Sequence, residues 1–159
     1  MSVSDGVYCI DTSSVLEAWR RRYRPKNFGS FWNNLDELIA QERVLMSREV
    51  FTELQKKDDD VHKWFKSRTS NKFIIEIDDD THDEVRRIMG LYPRLVDTAK
   101  GRSEADPFVI ALARVRKATV VSEEQAGSAT KPKIPDVCKA QGLKCLPLAD
   151  MIEELDWSF

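Results

Sequence analysis

The chain has 159 residues, 42% hydrophobic and 33% charged, with a formal net charge of −2. These proportions suit an ordinary globular protein, with chain enough for a substantial core and one domain over residues 1–159. No apolar run approaches a membrane span and no signal-peptide core follows Met1, while three irregularly spaced cysteines argue against a disulfide scaffold and for a reducing cytoplasm.

Val7–Ile10 is a short apolar run ending at Asp11 and is expected to form a strand. Asp11, Thr12, Ser13 and Ser14 supply N-cap candidates for a helix carrying Val15, Leu16 and Trp19, which Pro25–Gly29 breaks. From Ser30 to Ala40, Phe31, Trp32, Leu35, Leu38 and Ile39 recur at helical spacing. Val44–Met46 is apolar but too short to assign as a strand. Ser47 then caps a helix with Val50, Phe51 and Leu54 on one face, and a charged helical segment containing His62, Trp64 and Phe65 runs on to residue 68. Phe73–Ile77 reads as a strand, Asp80 as the cap of a helix reaching Leu91, and Thr98–Glu104 as a polar loop. Asp106 and Pro107 open a helix over Phe108–Val115, because proline is tolerated in a first turn. Ala118–Val121 is the clearest strand. A Gly127–Lys133 loop, a Pro135–Ala140 helix, a Lys144–Leu146 strand and a Leu148–Leu155 helix complete the chain. Such alternation predicts an α/β fold with a parallel sheet.

Ligands of open parallel sheets sit at the carboxyl ends of the strands. Asp11 follows the first strand, Glu123 and Glu124 follow Ala118–Val121, Asp106 opens the helix feeding that strand, and Glu53 lies on the third helix. Carboxylates gathered there repel one another unless a cation compensates, and a hard ion such as Mg²⁺ or Mn²⁺ suits an all-oxygen donor set. The chain has no P-loop, no GxGxxG and no HExxH.

The order of segments resembles the PIN-domain nucleases over nearly the whole length. Tyr8-Cys9-Ile10-Asp11-Thr12-Ser13 is similar to their first motif, Val50-Phe51-Thr52-Glu53-Leu54 to the second and Ala105-Asp106-Pro107 through Ala113 to the third. Thr119-Val120-Val121-Ser122-Glu123-Glu124 resembles the fourth, with Ser and Glu where Thr and Asp are common. The resemblance implies a three-layer α/β/α sandwich around a central parallel sheet, and Mg²⁺- or Mn²⁺-dependent hydrolysis of RNA. Carried over by position, Asp11, Glu53 and Asp106 bind metal and Glu124 takes the fourth acidic place, a role open to Glu123 as well. Thr12 or Ser13 and Ser122 support the carboxylates as hydroxyls. Glu49, one turn before Glu53, and Glu104 are further acidic neighbours. Many short members of the family resemble toxins of bacterial toxin–antitoxin pairs, which implies a small antitoxin as partner and allows a homodimer.

Other residues receive plainer readings. The Asp58–Asp60 and Asp78–Asp80 triplets lack the spacing of a calcium loop and read as surface charge and helix caps. His62 and His82 read as exposed, Cys9, Cys138 and Cys145 as structural, and Trp32, Trp64 and Phe65 as core or oligomer contacts. Arg20, Arg21, Arg22, Arg24 and Lys26, interleaved with Trp19 and Tyr23, are equally a nucleic-acid contact or a solvated or partner-facing helix end. Two further functions stand beside the ribonuclease: a catalytically silent PIN-like module that binds RNA or protein, and another metal-dependent phosphohydrolase. The missing Asp-x-Asp-x-Thr after the first strand counts against one large group of the latter.

Overall fold

The computed structural model describes residues 6–68, 72–96 and 104–159. Five strands form one parallel sheet: β1 (Tyr8–Ile10), β2 (Val44–Ser47), β3 (Ile74–Ile75), β4 (Thr119–Val121) and β5 (Cys145–Leu146), in the order β3-β2-β1-β4-β5. Every residue of β1 and β2 is buried, as expected of strands covered by helices on both faces. That two-sided burial makes β2 a run of Val-Leu-Met-Ser with no alternation, which is why it escapes recognition in the sequence. The reverse happens at β3. The apolar run Phe73–Ile77 pairs only through Ile74 and Ile75, while the Phe73 carbonyl accepts from Met46 N at 2.9 Å.

Between the strands lie α1 (Thr12–Glu17), a π-helical turn (Ala18–Arg22), α2 (Gly29–Ala40), α3 (Arg48–Lys57), α4 (Asp59–Lys66), α5 (Asp79–Leu91), α6 (Asp106–Arg116), α7 (Ile134–Gln141) and α8 (Leu148–Glu154). α1, α2, α4 and α8 share one apolar layer, in which Val15, Phe31, Leu35, Phe65 and Met151 enclose a small space under Ile10. α6 packs against β1, β2 and β4 and is covered in turn by α5. Val109 through Ala113 are therefore all buried, and α6 is apolar around much of its circumference. The three-layer α/β/α sandwich implied by the motifs is the architecture observed.

Asp78, not Asp80, caps α5: its Oδ1 accepts from Thr81 N at 2.8 Å, and the hydrogen bonds from Thr81 hold its carboxyl below the usual range. Asp80 lies in the first turn instead. His62 is not exposed. It is buried against the Phe51 ring with centroids 4.2 Å apart, because α4 turns the His62 side toward α3; His82 does face solvent. Trp32 and Phe65 are core residues and Trp64 packs half-buried beside them. All three cysteines are unbridged, with Cys9 and Cys138 buried, in keeping with a structural role. The expected Thr98–Glu104 loop lies outside the described residues except for exposed Glu104. Among the described residues no helix is long and apolar enough to cross a membrane.

Ile110 is fully buried in the helix that both α5 and the sheet cover. Ile110→Ala is expected to cost about 2–5 kcal/mol, read as a lower urea midpoint with an unchanged m-value.

Candidate active site

The connections β1 to β2 and β2 to β3 step one way across the sheet, whereas the chain returns to place β4 on the other side of β1. The strand order thus reverses between β1 and β4, where open α/β sheets bind ligands beyond the strand ends. Ile10 pairs with Val121 in this register. The next residue on each strand is Asp11 and Ser122, so the topology sets these two side by side.

Asp11 is 1% exposed and carries a dense set of hydrogen bonds. As N-cap of α1 it accepts from Ser14 N at 2.7 Å. The Ser122 hydroxyl donates to Oδ2 at 2.6 Å, and the Ser13 hydroxyl reaches both carboxylate oxygens, at 3.0 and 2.8 Å. Both hydroxyls are themselves fixed from behind: Glu123 N donates to Ser13 Oγ and Glu124 N to Ser122 Oγ, each at 3.1 Å. Each serine therefore spends its proton on Asp11 and its lone pair on a backbone amide. The Thr12 hydroxyl takes no part. It is buried with no hydrogen-bond partner among the described residues.

The adjoining acidic pair divides its work between two helices. Glu123 Oε1 accepts from Leu148 N at the start of α8, and Glu124 Oε1 from Ile134 N at the start of α7, at 2.8 and 3.2 Å. Carboxylates are favoured at helix N-termini, so both side chains are drawn there. Of the two, Glu124 is the one whose charge bears on Asp11. Asp106 is buried at the first position of α6, at the end of that helix nearest the carboxyl edge of the sheet. Glu53 lies on α3 with its side chain mostly covered, 3.8 Å from Lys57 Nζ on the next turn. Burial pushes up the pKa of Glu49, its neighbour one turn earlier.

Beside Ser122, Glu123 and Glu124 opens a groove of about 310 Å³ whose wall includes Arg22. That residue closes the π-helical turn, a feature with no visible sequence signal; such turns recur at functional sites. Arg20 is taken up by Asp58 at 2.9 Å. The structure joins Asp11, Ser13, Ser122 and Glu124 in one network and sets Asp106 and Glu53 in the helices flanking it. Among the described residues, no three Asp, Glu, His or Cys side chains stand close enough to hold one ion as placed.

Residues 8–159 match the family described as "Domain of unknown function (DUF4411)". No curated protein matches the sequence. Among solved structures, FitAcB from Neisseria gonorrhoeae superposes with a TM-score of 0.54 at 15% identity, covering 88% of this chain and 96% of that one. VapBC2 from Rickettsia felis, bound to a DNA fragment from the promoter, gives 0.52 at 19% identity over the same shares. At these identities the likeness shows the fold, which is PIN-like.

Burial pushes the Asp11 carboxyl up to about 6 despite the hydroxyls and amide that favour its charge, and Glu124 adds to the rise. Raised above its unfolded value of about 3.9, this group stabilises the fold in its protonated form, so its contribution is complete below about pH 4 and lost as pH climbs to about 6. Asp11→Asn removes the buried charge and keeps one acceptor for the serine hydroxyls. In chelator at pH 7.5 the variant is expected to be more stable than the parent, by at most about 3 kcal/mol, with no difference at pH 4. Thermal melts at the two pH values check this; a variant less stable at pH 7.5 would show that the hydroxyls outweigh burial.

Proposed function

The chain belongs to the DUF4411 family, and on that footing we propose that it is a divalent-metal-dependent endoribonuclease and the toxin of a toxin–antitoxin pair. The observation that carries the reading is Asp11, a buried carboxylate that forms no ion pair among the described residues, held by two serines at the topological switch point. Such a group fits a hard cation: its oxygens are positioned, it forms no ion pair among the described residues, and the Ser13 hydroxyl touches both oxygens and can yield one while keeping the other. The PIN-like fold shared with FitAcB and VapBC2 supports the toxin role.

In this reading Asp11, Glu53 and Asp106 hold Mg²⁺ or Mn²⁺, and Glu124 completes the acidic set. The ion supplies Lewis acidity and offsets charge that develops on the phosphodiester. The protein's own part is positional. Ser13 and Ser122 fix the plane of the Asp11 carboxylate, and the amides of Glu123 and Glu124 fix those serines. Arg22, on the groove wall, pairs with a backbone phosphate of the substrate. A small antitoxin that blocks this acidic cleft in the cytoplasm is the expected partner.

One observation favours a second reading, a silent RNA- or protein-binding module: the Glu123 and Glu124 carboxylates both serve as helix caps. Cleavage of a mixed RNA pool in Mn²⁺, Mg²⁺ or chelator separates the two. The nuclease requires the ion, and Asp106→Asn loses about 100-fold or more in rate while melting like the parent. Full activity of that variant, or cleavage in chelator, overturns the metal assignment. No cleavage under any condition, with RNA still bound, selects the silent module.

A further inference from the structure

The aromatic rings interleaved with the basic sequence are not the most exposed ones. Trp19 packs edge-on against Trp32 with centroids 5.0 Å apart, and Tyr23 stacks flat on Phe31 at 4.6 Å, so both are half-buried against the core. The exposed rings are Phe28 and Phe159, 36% and 53% accessible. Both lean on Tyr23, at 5.6 and 5.9 Å, and so form a shelf around a ring that the core anchors.

The charges beside this shelf are incompletely balanced. Arg21 and Arg22 both pair with Glu17, at 3.8 and 3.2 Å, and Glu123 is the one further carboxylate that bears on Arg22 among the described residues. Arg24 donates to the neutral carbonyl of Arg20 at 2.7 Å, and Lys26 forms no ion pair among the described residues. Surplus positive charge therefore flanks two exposed rings. The strip is also continuous with the candidate site, because Arg22 walls the groove containing Ser122 and Glu124 and Tyr23 is the next residue.

We propose that Phe28 and Phe159, with Arg22, Arg24 and Lys26, form a platform for single-stranded RNA, which stacks bases on the two rings and passes along Arg22 into the groove at Ser122 and Glu124. The proposal deepens the ribonuclease reading and rests on it for the nature of the polyanion. An acidic peptide satisfies the cations but offers no flat face to the rings; an unpaired base beside its phosphate satisfies both, and a duplex keeps its bases stacked inside.

The test is binding of a fluorescein-labelled single-stranded RNA 12-mer to the full chain in chelator, so that nothing is cut. Phe28→Ala and Phe159→Ala should each weaken binding by about tenfold. Combined Arg24→Gln and Lys26→Gln should flatten the dependence of log K on log salt by about 1.4. Unchanged affinity in both aromatic variants overturns the platform, as does equal affinity for an RNA duplex of the same length. Tighter binding of a poly-glutamate peptide at this face also overturns it, in favour of a protein partner. If the protein cuts no RNA yet the aromatic variants lose binding, the nuclease reading fails and the platform stands.

Discussion

A carboxylate shut away from water at the end of the central strand sets the terms for everything around it. Asp11 is where the chain leaves β1 for α1, so its backbone must stay extended while its side chain caps the helix. Burial raises the cost of its charge, and hydrogen-bond donors offset part of it: the Ser13 hydroxyl and Ser14 amide, which follow it in the chain, and the Ser122 hydroxyl, which the sheet register brings alongside. Those donors are rigid because each serine is itself held by an amide of the loop after β4. An electrostatic liability and a precise placement are thus two aspects of one arrangement, as is usual where a site is built for a charge that arrives from outside.

The loop after β4 ties this arrangement to the rest of the fold. Its amides order the serines, while its two carboxylates cap α7 and α8. Glu124 thereby links the Asp11 network to the seating of α7 through one residue. Glu123 makes the same kind of link to α8, whose apolar face helps close the layer over β1. Helix capping and any ligand chemistry draw here on the same oxygens.

On the opposite wall the π-helical turn decides which basic residues matter. Widening the helix by one residue per turn sends Arg22 to the groove, leaves Arg20 to Asp58, and delivers Tyr23 to the aromatic cluster of α2. The charge of the strip is a matter of composition. Its direction is a matter of this one turn.

Much of this was already written in local sequence. Asp11, Ser47 and Pro107 mark helix starts by capping chemistry, the long helices follow their apolar periodicity, and the alternation of elements fixes a parallel α/β sheet. The motifs led to Asp11, Ser13, Ser122 and Glu124, which the structure joins in one network because strand pairing makes neighbours of residues 111 positions apart. Other features had no local signal. The all-buried β2 lacks alternation, and the shortness of β3 reflects how far its neighbour runs alongside. His62 sits on a charged helix yet lies under Phe51, since burial depends on what packs above a residue. Thr12 fits the motif as well as Ser13 but makes no hydrogen bond to the carboxylate. The π-helical turn and the exposure of Phe28 and Phe159 belong to the same group. Capping and periodicity are properties of a few adjacent residues and can be read from the sequence; burial, register and the direction of a side chain depend on distant segments, and the tertiary structure alone decides them.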